Sequence, residues 1–373
     1  MAVTTIPSAG LTLGSQVNFR NLIINGDMSI AQRGTSFSPT GDAYVLDRFK
    51  LDYAGSPAVR YTITQDTDVP TGQGFAKSMK FDVTTAEASP SATTRLWTRL
   101  EGQNLQQLKY GTSNAESLTL SFWVKSNLTG TFIFWLYQED GSNRSISKSY
   151  TINSANTWEK KTITIDGDTS GQIDNDNGSA LRVVWFLTAD QSAYGTSSLQ
   201  TSWGSYDSTA VATGQTNVGS STSNEWYITG VQLEVGTSAS DFEFLPHDVN
   251  LVRCQRYYQQ LNQNGSNGWC TFSAIRNGSA DVQNIGIPLP TPLRIGNPTV
   301  TKSSSSLMQA WDGDGYHITS SGGSGSMTVP VNSGNDTPYL MLNTNGFSGL
   351  DHGGTVSWSI VLGTPSAEFD AEL

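Results

Sequence analysis

Aromatic side chains are the residues of this sequence whose types and spacing best suit binding chemistry. Ten tryptophans, thirteen tyrosines and fourteen phenylalanines occur in 373 residues, and Trp123 and Trp135 lie in segments of alternating character. Indole and phenol rings pack on the flat C–H faces of sugars, and Asp, Asn and Gln bind the hydroxyls. Trp123 and Trp135 could therefore line a glycan-binding sheet face, but burial in a core is the more common place for tryptophan in a sandwich.

A second aromatic group lies in the last 105 residues, in polar and glycine-rich surroundings with little strand alternation. Aromatic residues in loops often bind ligands. The sequence therefore supports exposure of these aromatic side chains as well as it supports their burial. The candidate glycan contacts of this region are Trp269, Trp311, Tyr316, His317 and Tyr339.

Motifs of known catalytic and metal sites are missing from the sequence. It contains no G-x-S-x-G, no H-E-x-x-H and no P-loop pattern, and its three histidines have no zinc-ligand spacing. The densest acidic stretch, 166–178, fails the calcium-loop pattern because Gly178 stands where an oxygen ligand should be. A solvated turn is the favoured interpretation and a calcium loop the alternative. We expect no enzyme activity, no metal and no cofactor.

Charge limits the range of partners. Charged residues make up 14% of the chain and the net charge is −11, so phosphate backbones and anionic membrane surfaces are repelled. The sequence contains no run of 18 apolar residues, the length needed to span a bilayer. Its first residues lack a signal-peptide pattern. We expect no nucleic-acid partner and no membrane insertion, and reduced thiols at Cys254 and Cys270.

Short strand-like segments separated by Gly, Asn and Asp turns are typical of a β-sandwich or jelly roll. Within 118–125, apolar residues occupy every second position, and the strands at 131 and 181 carry apolar or aromatic residues on both faces. Both faces are therefore covered, by protein or by ligand. The clearest segments are 118–125, 131–137, 161–165, 181–187 and 226–235.

At about residue 245 the spacing of apolar residues changes from the period of a strand to that of a helix. Leu251, Cys254, Tyr258 and Leu261 recur at helical spacing, which predicts a short helical neck with one apolar seam. Residues 265–373 return to β-type composition.

Several segments match recurrent motifs. The stretch 21–28 (NLIINGDM) is similar to the N-L-x-x-N-G-D-F opening strand of carbohydrate-binding-module jelly rolls. The segments 242–246 (FEFLP) and 253–258 (RCQRYY) are similar to a junction in bacteriophage tail fibres. Further matches are 121–125, 155–159, 228–236, 290–294, 297–300 and 370–373. The chain thus resembles a phage tail fibre, a receptor-binding protein with such a jelly roll and a small C-terminal tip domain.

This resemblance implies an all-β homotrimer that attaches the virion tail to a host cell-surface polysaccharide or lipopolysaccharide, after assembly in the host cytoplasm. In such a trimer, the seam of Leu251, Cys254, Tyr258 and Leu261 would pack at the axis. The corresponding domains are an arm (1–24), a jelly-roll β-sandwich (25–240), a short helical neck (241–264) and a smaller β-rich tip (265–373). Such modules often hold calcium through an acidic residue of the last strand, but 229–232 reads TGVQ. The alternatives are a tailspike-type glycan depolymerase, which needs only two carboxylates, and a purely structural virion component.

The arm contains too few apolar residues to order on its own, because fixing each residue costs about 1–2 kcal/mol. We expect it to order against a partner, which the resemblance identifies as another tail or baseplate protein. The residues assigned to virion attachment are Leu11, Leu13, Val17 and Phe19.

Overall fold

The computed structural model describes residues 19–141, 143–261, 269–277, 281–295, 299–302, 308–311, 317–319, 337–344, 356–361 and 367–373. Strands dominate these residues, which confirms the prediction of an all-β fold. The chain divides into two compact units, one reaching Asn250 and including Leu373, the other comprising Leu251–Glu372. Among the described residues, no helix is both long and apolar enough to cross a membrane.

The elements of the first unit are mostly antiparallel strands joined by short turns. They are β1 (Ser36–Phe37), β2 (Ala43–Tyr44), β3 (Lys50–Ala54), β4 (Arg60–Asp66), β5 (Ser78–Thr85), β6 (Thr93–Glu101), β7 (Leu118–Ser126), β8 (Gly130–Gln138), β9 (Arg144–Ile152), β10 (Glu159–Ile165), β11 (Ser179–Thr188), α1 (Gln191–Tyr194), β12 (Gly204–Ser205) and β13 (Glu225–Val235). Short 3-10 helices cover Gly102–Asn104, Gln106–Leu108, Ser208–Ala210 and Val218–Ser220.

These strands form two sheets of a β-sandwich. The six-stranded sheet has the order β1-β4-β5-β13-β7-β10 and the seven-stranded sheet the order β12-β9-β8-β11-β6-β3-β2. The predicted alternation of 118–125 is confirmed, since Leu118, Leu120, Phe122 and Val124 are fully buried in the core between the sheets. From the opposite sheet, Trp185 packs at 5.8 Å between ring centroids against Phe122. The period-2 pattern therefore defines the inner face.

The segment 21–28, whose sequence resembles the opening strand of a jelly roll, is an irregular clamp on β13. The Asn21 side chain donates to the Val231 carbonyl (3.0 Å) and accepts from the Leu233 amide (3.1 Å). A Cβ at Gly26 would lie 2.0 Å from the Val231 oxygen, so only glycine fits there. Because Asn21 and Ile23 are buried, the sandwich begins at about Asn21, and the predicted arm ending at 24 is too long.

The second unit contains two further sheets. A three-stranded sheet has the order β14-β22-β17 and a six-stranded sheet the order β19-β18-β21-β15-β16-β20. Helix α2 (His247–Gln255) precedes these strands along the chain. The strands are β14 (Tyr258–Leu261), β15 (Trp269–Asn277), β16 (Asp281–Leu293), β17 (Thr299–Lys302), β18 (Met308–Trp311), β19 (His317–Thr319), β20 (Thr337–Thr344), β21 (Val356–Val361) and β22 (Ala367–Asp370).

The predicted helical seam is wrong beyond Gln255. Leu251 and Cys254 lie in α2, whereas Tyr258 and Leu261 lie in β14, where they pair with Asp370 and Ala367 of β22. Pairing with a strand more than a hundred residues away overrides the local helical period. Cys254 and Tyr258 are buried within the chain, so their side chains are not available to a partner copy.

Candidate functional site

The outer face of the seven-stranded sheet collects polar aromatic and charged side chains in cross-strand rows. Tyr137 of β8 lies opposite Arg182 of β11, which lies opposite Arg99 of β6. The next row places Trp135 and Trp97 on either side of Val184. Because side chains directly opposite one another are in reach across a sheet, these residues form one continuous surface, here called the arginine–tyrosine face.

Cations cover the indole of Trp97 on this face. The guanidinium carbon of Arg99 lies 4.4 Å from the ring centroid, that of Arg182 lies at 5.2 Å, and the Lys50 ammonium lies at 5.1 Å. Trp97 is consequently only 2% exposed. Its ring holds the guanidinium groups in place by cation–π contact and is not available for a ligand.

The exposed ring surface belongs to Tyr206 and to the half-buried Tyr137. Tyr206 is 39% exposed, whereas Trp135 beneath it is 3% exposed. The ring centroids of Trp135 lie 5.7 Å from Tyr206 and 4.9 Å from Tyr137. The Tyr137 hydroxyl donates to Asn143 Oδ1 (2.7 Å), so a ring surface adjoins an amide.

Carboxylates organise the arginines. Glu139 pairs with Arg99 Nη2 (3.3 Å) and more closely with Arg182 Nη2, and the Ser179 hydroxyl donates to its other oxygen. Burial lowers the pKa of the Arg99 guanidinium, and the charge of Arg182 lowers that pKa further. The guanidinium of Arg99 is therefore crowded and partly dehydrated.

The tyrosine hydroxyls of this face stay neutral at physiological pH. Burial raises the pKa of Tyr137, and the nearby Glu139 carboxylate adds to the effect. Burial likewise raises the pKa of Tyr206. The Tyr206 hydroxyl can therefore donate a hydrogen bond to a ligand, whereas the Tyr137 hydroxyl already donates its proton to Asn143 and can accept one.

The long segment between β11 and β13 covers the rest of the outer face. Val211 and Ala212 pack there against Trp135 and Phe186. Protein, and not a ligand, therefore covers this end of the outer face. Asp190 caps α1 by accepting from the Ser192 amide (2.8 Å). Pairing of β12 with β9, and a bond from the Tyr206 amide to the Asn143 carbonyl (2.9 Å), then bring Tyr206 beside Tyr137.

Trp123 and Trp135 do not share a face. Trp123 is half-buried on the outer face of the six-stranded sheet, beside Gly230, whereas Trp135 belongs to the opposite sheet. On the face of Trp123, the Lys125 ammonium lies 4.1 Å from the Tyr227 ring centroid, and Trp158 donates to Asp68 (2.8 Å). The predicted common binding face of Trp123 and Trp135 is therefore wrong.

Three of the candidate aromatic residues of the second unit lie in strands, whereas their polar and glycine-rich surroundings predict loops. Trp269 belongs to β15, Trp311 to β18 and Tyr339 to β20. His317 opens β19 and pairs in register with Trp311. Tyr316 lies outside the described residues, as do Leu11, Leu13 and Val17 of the arm; Phe19 is described and is 55% exposed. The roles assigned to these residues stay predictions.

The acidic stretch 166–178 is more than a solvated turn. Asp168 is fully buried and pairs with Arg144 Nε at 2.7 Å. Within the described parts of the chain, no three acidic, histidine or cysteine side chains come close enough together to hold a metal ion.

No local sequence pattern marks Tyr206, Arg99 or Glu139 as site residues. Tyr137 and Arg182 were detectable, because strand alternation already places them on the second face of β8 and β11. Tyr206 follows a strand of only two residues, which has no period to detect. These residues come together through the register of the paired strands.

The sequence matches no protein-family model and no curated protein. Among solved structures, it is similar to the enzymatically active domain of a tailspike protein of bacteriophage CBA120, with 14% identity, a TM-score of 0.32, and coverage of 58% of this chain and 21% of that one. This chain thus spans about a fifth of that tailspike structure.

Carbohydrate-binding modules are also among the similar structures. A family 61 module solved with β-1,4-galactotriose shows 12% identity, a TM-score of 0.28, and coverage of 58% of this chain and 99% of that one. A family 11 module of a cellulosomal cellulase of Clostridium thermocellum shows 10% identity, a TM-score of 0.27, and coverage of 55% and 100%.

Proposed function

We propose that the arginine–tyrosine face binds a glycan. The observation that carries this proposal is the exposed ring surface of Tyr206 and Tyr137, flanked by the Asn143 amide and the guanidinium groups of Arg99 and Arg182. An aromatic surface bordered by fixed polar groups is the arrangement that recognises a sugar, with its flat apolar face and its hydroxyl edge. A shallow site of this kind needs avidity to hold a particle, and several copies in one assembly supply it.

We further propose that the chain is a bacteriophage tail fibre that attaches the virion to a host polysaccharide or lipopolysaccharide. The motifs at 21–28, 242–246 and 253–258 support this role. A homotrimer, and anchoring to other tail or baseplate proteins by the N-terminal arm, belong to the same proposal. The virion tail is the corresponding location.

The proposed activity is binding without cleavage. The carboxylates of this face are engaged in ion pairs: Glu139 with Arg99 and Arg182, and Asp52 with Arg95. A glycosidase instead needs one carboxyl that carries a proton to the leaving group. Incubation with host polysaccharide should therefore release no new reducing ends, and their release would favour the depolymerase alternative.

An adsorption assay with the purified full-length chain tests the binding role. The chain should coat host cells and block phage attachment. Tyr206→Ala should weaken cell binding about tenfold, equal to 1.4 kcal/mol, because it removes the exposed ring. Trp158→Ala is the matched control, since it removes a half-buried ring that packs against Tyr227 of the opposite sheet.

Two results would contradict the proposal. If the chain fails to coat cells or to compete with phage, a purely structural role in the virion becomes the favoured function. Loss of binding in Trp311→Ala, with Tyr206→Ala unaffected, would move the site to the second unit. Thermal unfolding of each variant shows whether the chain is folded.

A further inference from the structure

Two arginines lie directly opposite each other on a protein with an excess of acidic residues. Arg99 and Arg182 are cross-strand partners of β6 and β11, while the whole chain carries a net charge of −11. Like charges at directly opposed positions destabilise a sheet. Their position on the open face therefore calls for a counter-charge.

The counter-charge within the protein is incomplete. Arg95 is balanced by Asp52 and Lys50 by Asp42, but Arg99 and Arg182 share the single carboxylate of Glu139. This cluster of three side chains keeps one net positive charge.

Both guanidinium groups have donors left over. Arg182 uses Nη2 toward Glu139, and the Nε atoms of both arginines are buried without a partner. Among the described residues, no group accepts from the Nη1 atom of either arginine. The side chains of Arg99 and Arg182 are 22% and 17% exposed, so a ligand can contact both residues.

We propose that Arg99 and Arg182 bind an acidic group of the glycan, whose sugar ring packs on Tyr206 and Tyr137. This inference rests on the proposed glycan-binding function and adds the ligand class: a polysaccharide that carries a carboxylate, phosphate or sulfate group.

The chemistry of the face fits an oxyanion better than a neutral sugar. A guanidinium group presents a planar fork of donors that matches carboxylate and phosphate oxygens, and stacking on Trp97 and Tyr137 fixes the orientation of that fork. Asp140 follows Glu139 along the chain and accepts a hydrogen bond from the Asp174 amide. These acids repel an anion, whereas the two arginines attract it.

Paired polysaccharides test this inference with the full-length chain. The probes are purified bacterial capsular polysaccharides and O-chains, immobilised in the native form and after removal of the charge. Carboxyl reduction removes uronic acid charge, and dephosphorylation or desulfation removes the other two. The native acidic polymer should bind at least about tenfold more tightly than its neutral counterpart, since hydrogen bonds to charged groups have that strength. Added salt should weaken only the native form.

Arginine variants connect the effect to this face. Arg182→Met and Arg99→Met should each weaken binding of the native polymer about tenfold and weaken binding of the neutral polymer by a clearly smaller factor. Arg182→Lys should recover part of the binding, because it keeps the charge but loses the fork. Lys80→Met is the matched control: this lysine also lies over a tyrosine ring, 5.4 Å from the Tyr227 centroid, but on the opposite sheet. It should bind as the unaltered chain does.

The outcomes separate this inference from the proposed function. Equal binding of the native and neutral polymers, weakened by Tyr206→Ala, would leave the glycan-binding function standing and overturn the acidic ligand. Equal loss of both polymers in Arg182→Met would also overturn it, since the arginine would then only support the face. Absence of binding to every polysaccharide would overturn both.

Discussion

Replacing Asn21 by alanine should destabilise the first unit by removing a buried clamp. The side chain donates to the Val231 carbonyl and accepts from the amides of Ile23 and Leu233, at 3.0 to 3.1 Å. Each lost bond costs about 0.5–1.5 kcal/mol, and Asn21 is buried, so water does not replace it. The expected loss is about 2–4 kcal/mol in the free energy of unfolding.

Urea unfolding followed by tryptophan fluorescence measures this loss. Asn127→Ala is the matched control, because Asn127 also makes three side-chain hydrogen bonds, with Ser223, Asn224 and Glu225, but at a half-exposed position. Its loss should stay below about 1 kcal/mol, since water can take over the bonds. Equal losses in the two variants would refute the clamp as a source of stability.

Three further predictions concern the fold that carries the face. Trp185→Ala should cost about 3–5 kcal/mol by cavity formation, measured by denaturant unfolding; a loss under 1 kcal/mol would contradict its place in the core. Gly26→Ala should lower the melting temperature by several degrees, since its Cβ would lie 2.0 Å from the Val231 oxygen. An unchanged melting temperature would contradict this close contact between the two backbone segments. Hydrogen bonds from Ser192 lower the pKa of Asp190 below 3.8, so the cap stabilises α1 above that pH and is lost as the pH falls through the lowered pKa. Hydrogen exchange of the Ser192 amide should therefore keep its protection down to about pH 4 in the unaltered chain and lose it at all pH values in Asp190→Ala.

Strand alternation was sufficient to predict the core of the sandwich. The inward positions of β7 and β11, such as Phe122 and Trp185, follow from the period of two alone. The same period places Trp135 and Tyr137 outward. It does not reveal which sheet a strand joins, so the prediction that Trp123 and Trp135 share a face fails: the two residues lie on opposite sheets.

Long-range pairing explains the remaining errors. Tyr258 and Leu261 continue a helical spacing, but their contacts are with β22, which no local pattern indicates. Tyr206 reaches Tyr137 only because β12 pairs with β9. Cross-strand register, which positions Arg99 opposite Arg182, is a property of the assembled sheet and not of either strand.

The position of β13 has a consequence for synthesis on the ribosome. This strand lies between β5 and β7 in its sheet, yet it is the last strand of the sandwich along the chain, and the clamp at Asn21 depends on it. At about 5–20 residues per second, more than 200 residues take roughly 10 to 45 s to translate. Until Glu225–Val235 has emerged, β5 and β7 lack their common neighbour, and unpaired strand edges join readily with other chains. The first unit therefore completes its fold only after Glu225–Val235 has emerged, and neighbouring nascent chains are most prone to misassembly before that point.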